Sequence, residues 1–167
     1  MSAMRLATTD LLDAHEGELE LGTVRVLQPG LLALGRHRLF AGPIVTLKLF
    51  EDNTLLAELV KTPGNGRVIV VDAGGSLRCG IFGGNLAAAA AKNGWAGVVV
   101  FGCVRDADEL DDCELGVRAL GLNPRRSVKR GEGQSDVAVT FLGATLRPGN
   151  WLYADRDGVV VSDRPLH

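Results

Sequence analysis

The feature that most constrains the fold is a stretch in which two apolar runs flank a glycine-rich loop and an alanine-rich segment. Residues 67–73 (RVIVVDA) and 96–102 (AGVVVFG) are nearly continuous in apolar residues, which is typical of strands buried on both faces of a sheet. Between them, residues 85–94 (NLAAAAAKNG) have high helix propensity, with Asn85 as a candidate N-cap and Gly94 as a stop. The pattern predicts a βαβ unit with parallel strands and a right-handed crossover.

The segments on either side predict further strands and a short helix. Residues 41–50 (AGPIVTLKLF) alternate and contain β-branched residues, and Asn53 or Thr54 is a candidate cap for a helix through TLLAELV. Residues 136–161 predict three short antiparallel strands separated by Gly and Pro turns. We therefore expect an α/β fold with a central βαβ unit and flanking antiparallel strands, in one domain over residues 1–167.

Charge and hydropathy exclude several classes of protein. A net charge of −2 gives no general attraction to nucleic acid or to an anionic membrane. No apolar run approaches the roughly 20 residues that span a bilayer, and the polar N-terminal segment lacks a signal-peptide apolar region. We expect a cytoplasmic protein. Cys79, Cys103 and Cys113 are an odd number at unrelated spacings, which predicts buried reduced thiols.

The glycine-rich loop before the alanine-rich helix is the first candidate site. The amides of Gly83, Gly84, Asn85 and Leu86 are predicted to be unpaired donors of the first helical turn, where the helix dipole adds positive potential. Such a terminus can bind a carboxylate or a phosphate. Taken alone, a Gly-Gly pair before a helix more often forms a simple turn.

The second candidate site follows the second strand of the βαβ unit. Arg105 offers a fork of donors for a carboxylate or an enolate oxygen, and Asp106 offers a hard oxygen ligand, with Asp108 and Glu109 close enough to help through water. An adjacent Arg-Asp pair can also be a solvated ion pair of little energetic weight. The pair and the glycine loop are expected at the same edge of the sheet, where ligands of α/β proteins gather.

Several segments, in order along the chain, resemble one known family. The sequence is similar to the family that contains the regulator of ribonuclease activity A and the class II 4-hydroxy-4-methyl-2-oxoglutarate aldolases. In the aldolase pattern twenty residues separate a glycine from an Arg-Asp pair and two more separate the pair from an acid, and Gly84, Arg105, Asp106 and Glu109 match it. The resembling segments are residues 8–15, 40–53, 64–87, 93–106, 115–127 and 151–162.

The resemblance implies a fold, an assembly and a set of residue roles. It implies a compact β/β/α sandwich of the swivelling-domain type, assembled as a homotrimer with the site at the interface. The amides of Gly83–Leu86 would hold the carboxylate of a pyruvate-type substrate, and Arg105 would brace the enolate oxygen. Asp106 would ligate a largely hydrated Mg²⁺ or Mn²⁺, with Glu109 contributing through water. Zinc is disfavoured because the sequence contains neither thiolate pairs nor clustered histidines.

Two functions are compatible with this resemblance. The first is a metal-dependent carbon–carbon lyase that cleaves 4-hydroxy-4-methyl-2-oxoglutarate and decarboxylates oxaloacetate through a pyruvate enolate. The second is a non-catalytic regulator that binds and inhibits ribonuclease E. The acids Asp106 and Glu109 favour the lyase, since a binding protein has no need of them. Schiff-base chemistry stays open because lysines are present at positions 48, 61, 92 and 129.

Other polar segments have structural interpretations that we prefer. Glu51–Asn53 is interpreted as a helix cap, with a contribution to a site across a subunit boundary as the alternative, and Asp155 and Asp157 are interpreted as turn acids. The loop after RVIVVDA contains no GxGxxG, which argues against a nicotinamide site and against a methyltransferase. Five basic residues are interpreted as a solvated loop or subunit contact rather than an RNA-binding patch, namely Arg118, Arg125, Arg126, Lys129 and Arg130.

Overall fold

The computed structural model describes residues 7–167, which form five short helices and eleven strands. The helices are α1 (Thr8–Ala14), α2 (Glu16–Leu21), α3 (Thr54–Leu59), α4 (Gly84–Lys92) and α5 (Ala107–Asp112). The strands are β1 (Val24–Val26), β2 (Leu32–Leu34), β3 (Phe40–Lys48), β4 (Val68–Asp72), β5 (Gly97–Val104), β6 (Gly116–Leu122), β7 (Gln134–Ser135), β8 (Val139–Phe141), β9 (Ala144–Leu146), β10 (Trp151–Ala154) and β11 (Val159–Ser162).

One large sheet with the strand order β1-β11-β10-β3-β4-β5-β6-β2 organises the molecule. Its centre, β3 to β6, is parallel, whereas β10, β11 and β1 continue it antiparallel on one side and β2 on the other. Strand β7 pairs antiparallel with β3, and β8 and β9 form a separate hairpin. The mixed α/β prediction, with a βαβ unit (β4-α4-β5) between antiparallel strands, is confirmed.

The central strands are buried on both faces, as their continuous apolar sequences predict. In β4, Ile69 and Val71 join the core beneath α3, α4 and α5, whereas Val68 and Val70 join a second core beneath the β8–β9 hairpin. Because successive side chains of a strand point to opposite faces, one strand serves both cores. The layers are therefore hairpin, sheet and helices, which is the β/β/α arrangement. Within residues 7–167 no helix has the length and apolarity needed to cross a membrane.

Two local predictions differ from the structure. Helix α4 begins at Gly84 with Gly83 as its N-cap, so the prediction that Asn85 is the cap is wrong. The amide of Gly84, the first residue of α4, is bonded by a carboxylate distant in sequence. Residues 136–161 contain four strands rather than three, because Leu142 and Gly143 both have positive φ values and form a tight hairpin turn between β8 and β9.

The three cysteines are free thiols. Cys79 and Cys103 are buried and Cys113 is partly buried. Burial raises the pKa of all three thiols, which keeps them neutral near pH 7. The prediction of buried reduced thiols is confirmed for Cys79 and Cys103, and it holds in part for Cys113.

Candidate active site

A cavity of about 450 Å³ lies at the carboxyl ends of the parallel strands. The chain leaves β4 through the glycine loop into α4, and it leaves β5 at Arg105. Five of the residues predicted from sequence line this cavity: Gly83, Asn85, Leu86, Arg105 and Asp106. The expectation that the glycine loop and the Arg-Asp pair open onto one edge of the sheet therefore agrees with their positions.

Asp106 connects the two candidate sites directly. Its backbone is left-handed (φ 60°, ψ 50°), a conformation that Asp tolerates better than most residues, and it occupies the N-cap position of α5. Its side chain turns away from α5, and Oδ2 accepts a hydrogen bond of 2.9 Å from the Gly84 amide. The carboxylate thus caps α4, where the helix dipole favours negative charge.

The Gly-Gly pair makes room for two acids of the protein itself. A Cβ atom at Gly83 would lie 2.6 Å from Oδ2 of Asp106, and one at Gly84 would lie 1.7 Å from Oε2 of Glu109. Because the Gly84 amide donates to Asp106, it is not free for a ligand. The amides of Gly83, Asn85 and Leu86 donate to no group within residues 7–167, so three of the four predicted donors are unpaired there.

Arg105 is held by contacts on two sides. Its backbone amide donates to the Phe82 carbonyl (2.9 Å), and its Nη1 donates to the Pro124 carbonyl (3.3 Å). Its Nε lies 3.8 Å from Oδ2 of Asp106, which is a loose ion pair between side chains that are 35% and 37% exposed. Such a pair contributes little to stability, and it leaves most of the guanidinium donors available to a ligand.

The donor set at Asp106 fits a hydrated hard cation. Within residues 7–167 the second carboxylate oxygen, Oδ1, accepts no hydrogen bond, and the residue lines the cavity. No cluster of three or more His, Cys, Asp or Glu side chains that could enclose a metal occurs in the same range. A single carboxylate ligand suits Mg²⁺ or Mn²⁺, which retain several waters, and does not suit a structural zinc site. Glu109 lies against Gly84 and does not line the cavity.

Three further cations line the cavity besides the residues predicted from sequence. Lys61, Arg126 and Lys129 line it together with Arg105, whereas Asp106 is the one acid among the lining residues. The cavity is therefore positively charged. Lys61 follows α3, and Arg126 and Lys129 belong to the basic loop after β6, so nothing local in the sequence places them beside α4.

Asp52 is the residue of the Glu51–Asn53 segment whose side chain caps helix α3. This carboxylate is 1% exposed, and burial by itself raises its pKa. Hydrogen bonds from the amide and hydroxyl of Thr54 and from the amides of Arg130 and Glu132 outweigh burial and bring its pKa to about 2. The helix-cap interpretation is confirmed for Asp52, whose carboxylate bonds the first amide of α3, while Asn53 occupies the N-cap position without a side-chain cap bond. The Asp52 carboxylate also ties the loop after β6 to this helix. Glu51 has a different role, because its carboxylate accepts hydrogen bonds from Arg78.

Asp155 and Arg118 both have structural roles away from the cavity. Asp155 accepts hydrogen bonds from the amide and hydroxyl of Thr8 and from the amide of Asp157, which confirms the turn role. Arg118 does not belong to the basic loop, because it lies within β6, is 3% exposed and donates to the carbonyls of Arg38 and Asp155. Its assignment to a solvated basic surface is wrong.

The fold and the cavity define an α/β protein whose candidate site combines helix N-terminal amides, an Arg-Asp pair and additional cations. The RraA-like family, described as Aldolase/RraA, matches residues 8–161, and the chain belongs to this family. Relatives from Cupriavidus necator and Burkholderia multivorans are 56% and 60% identical over 163 residues, which is 98% of this chain and 99% of each relative. Both carry the provisional name 4-hydroxy-4-methyl-2-oxoglutarate aldolase.

Two solved structures have the same fold over almost the whole chain. The RNA-processing inhibitor RraA from Thermus thermophilis has a TM-score of 0.91 and 41% identity, covering 97% of this chain and 95% of that one. A Geobacillus kaustophilus structure, named S-adenosylmethionine:2-dimethylmenaquinone methyltransferase, has a TM-score of 0.91 and 40% identity, covering 96% of this chain and 97% of that one. The expected relationship to the regulator and aldolase family is confirmed.

Proposed function

We propose that this protein is a divalent-metal-dependent class II aldolase and decarboxylase that works through a pyruvate enolate. Its substrates would be 4-hydroxy-4-methyl-2-oxoglutarate, cleaved by a retro-aldol reaction, and oxaloacetate, which would be decarboxylated. The observation that carries the proposal is the convergence of unpaired α4 amides, Arg105 and Asp106 on one positively charged cavity. The provisional aldolase name of the relatives supports it.

Each group at the cavity has a role in binding or in stabilising charge. The amides of Asn85 and Leu86 would bind the carboxylate next to the ketone, because they are free donors at a helix N-terminus. The guanidinium of Arg105 would donate to the 2-oxo oxygen, where negative charge develops. Asp106 would hold Mg²⁺ or Mn²⁺, and the bound ion would supply Lewis-acid polarisation of the 2-oxo group.

Both reactions break the C3–C4 bond and give the same enolate. In the retro-aldol reaction the 4-hydroxyl loses its proton to solvent water, C4 becomes a carbonyl, and the C3–C4 bond breaks with its electron pair moving into the enolate. In decarboxylation the bond to the leaving carboxylate breaks, and carbon dioxide departs. Arg105 would stabilise the enolate oxygen in both cases, and protonation at C3 then gives pyruvate.

The test is pyruvate release from both substrates by the purified protein. We expect turnover with Mg²⁺ or Mn²⁺, loss of turnover with excess chelator, and a loss of at least 100-fold in Arg105→Ala. Borohydride added during turnover should leave the protein mass unchanged, because an enolate held by a metal and an arginine forms no Schiff base. A trapped adduct on Lys61 or Lys129 would replace the metal mechanism with a Schiff-base one.

The alternative function is a non-catalytic regulator of ribonuclease E. The Thermus neighbour is named as an RNA-processing inhibitor, and it shares the fold. Turnover of neither substrate above the background of the metal ion alone would reject the lyase proposal. That result would favour the regulator, with Arg105 and Asp106 as a structural ion pair.

A further inference from the structure

The position of Lys129 in the cavity is defined by a chain of two hydrogen bonds. Its Nζ donates to Oδ1 of Asn53 (2.9 Å), and the amide of Asn53 is itself oriented because Nδ2 donates to the carbonyl of Ile81 (3.0 Å). Ile81 lies two residues before Gly83, in the loop that leads into α4. The chain of hydrogen bonds therefore fixes the ammonium relative to the α4 amides.

The charge of Lys129 is not neutralised by its partner. Asn53 is a neutral amide, and no carboxylate within residues 7–167 forms a salt bridge with Lys129. An ammonium group has three N–H donors, and one of them is used here. Two donors and a full positive charge are thus available in the cavity.

Backbone hydrogen bonds of the kind found between strands fix the loop that carries Lys129. The Gly80 amide donates to the Arg125 carbonyl (2.7 Å), and the Val128 amide donates to the Glu51 carbonyl (3.1 Å). Isolated parallel bridges join Gly80 to Arg126 and Asp52 to Val128 on the two sides of the loop. The loop is therefore preorganised, which lowers the entropy lost when Lys129 binds a ligand.

The loop that carries Lys129 also contains a buried hydroxyl without a hydrogen-bond partner in the part of the chain that the structure describes. Ser127 lines the cavity, and its Oγ is the one buried side-chain oxygen or nitrogen in residues 7–167 without a hydrogen-bond partner. An unsatisfied buried hydroxyl is costly. Ser127 stands two residues before Lys129 in the same loop, so an unsatisfied hydroxyl and an ammonium without an acidic partner among the described residues line the cavity together.

We propose that Lys129, positioned by Asn53, binds the second carboxylate of a 2-oxo diacid and thereby selects diacids over pyruvate-like monoacids. This inference rests on the proposed function, which requires only the carboxylate next to the ketone to be bound by α4. The reaction centre and the second carboxylate are then held by different elements of the fold that line one cavity. Lys129 is a specificity-determining residue, and Asn53 is a positioning residue.

The experiment compares a diacid with a monoacid on the same variants. Lys129→Met should raise KM for 4-hydroxy-4-methyl-2-oxoglutarate about tenfold or more, which corresponds to about 1.4 kcal/mol. It should leave the exchange of pyruvate C3 protons with D₂O within about twofold, because pyruvate lacks the second carboxylate. Asn53→Ala should raise the same KM by a smaller factor. Lys92→Met, an exposed lysine at the end of α4, is the matched control and should change neither rate.

Each outcome has a separate meaning. Lys129→Arg keeps the charge and should retain a KM within about threefold of the unaltered protein, which shows that the effect comes from charge and not from misfolding. An unchanged diacid KM in Lys129→Met would overturn the inference while leaving the lyase proposal intact. Equal losses in diacid cleavage and pyruvate exchange would also overturn it, since Lys129 would then act at the enolate. Absence of both reactions in the unaltered protein would instead reject the proposed function.

Discussion

At the scale of single residues, Asp106 serves two purposes with one side chain. Oδ2 caps α4 through the Gly84 amide, and Oδ1 is available to a cation in the cavity. The absence of a Cβ at Gly83 is what permits this approach, because a Cβ there would lie 2.6 Å from Oδ2. The structural and the proposed chemical roles of the residue can therefore be separated by substitution.

Asp106→Asn and Asp106→Ala should differ in stability and agree in activity. Asn retains a side-chain oxygen that can accept from Gly84, so we expect an unfolding free energy within about 0.5 kcal/mol of the unaltered protein. Ala removes the cap and should cost about 1 kcal/mol. Both remove the anionic oxygen and should reduce metal-dependent pyruvate release at least 100-fold.

Urea denaturation and the pyruvate assay measure these two effects independently. Asp112→Asn is the control, because Asp112 is an exposed acid of the same helix α5 and has no role assigned at the site. Full activity in Asp106→Asn would contradict the assigned metal role. A stability loss as large in Asn as in Ala would contradict the cap.

At the scale of elements, Asp52 joins α3 to the loop that carries Lys129. Its pKa is about 2 instead of the ordinary 3.8, because hydrogen bonds from Thr54, Arg130 and Glu132 outweigh its burial. A pKa lowered by folding means that the stabilisation is fully present above about pH 4 and is lost as the pH falls toward 2. The lowered value corresponds to about 2 kcal/mol.

Asp52→Asn should therefore lower the free energy of unfolding by about 2 kcal/mol at pH 7. The difference from the unaltered protein should shrink as the pH falls from 4 to 2, because the native carboxylate then becomes protonated. Urea midpoints measured across this pH range test the prediction. A difference that stays constant down to pH 2 would show that Asp52 does not contribute through its charge.

The elements also show what the sequence can and cannot predict. The β4-α4-β5 unit follows from residues 67–102 alone, because apolar runs and helix propensity are local signals. The cap of α4 does not, since the acceptor is Asp106, 22 residues away. Nor does the position of Lys129, which depends on hydrogen bonds from the loop to Asp52, Glu51 and Asn53 across the molecule. The sequence therefore predicts the α4 amides and Arg105 as donors, but it does not place Arg126 and Lys129 in the cavity.

At the scale of the whole molecule, the resemblance that implied the site also implies an assembly. The sequence is similar to a family expected to form homotrimers with the site at the interface. In the single chain, large apolar side chains such as Leu32 and Leu122 are exposed to solvent, and a subunit interface could cover them. Sedimentation equilibrium should give a mass of about 53 kDa, three times the 17.6 kDa of one chain. A mass near 17.6 kDa at micromolar concentration would contradict the trimer.

The most direct test of the central claim is the exchange of pyruvate C3 protons with D₂O, followed by NMR. Exchange reports enolate formation alone, without bond cleavage or a second carboxylate. We expect exchange that requires Mg²⁺ or Mn²⁺, stops with excess chelator, and falls at least 100-fold in Arg105→Ala and Asp106→Asn. Exchange no faster than with the metal ion alone, or exchange unaffected by these two substitutions, would contradict an enolate site at the N-terminus of α4.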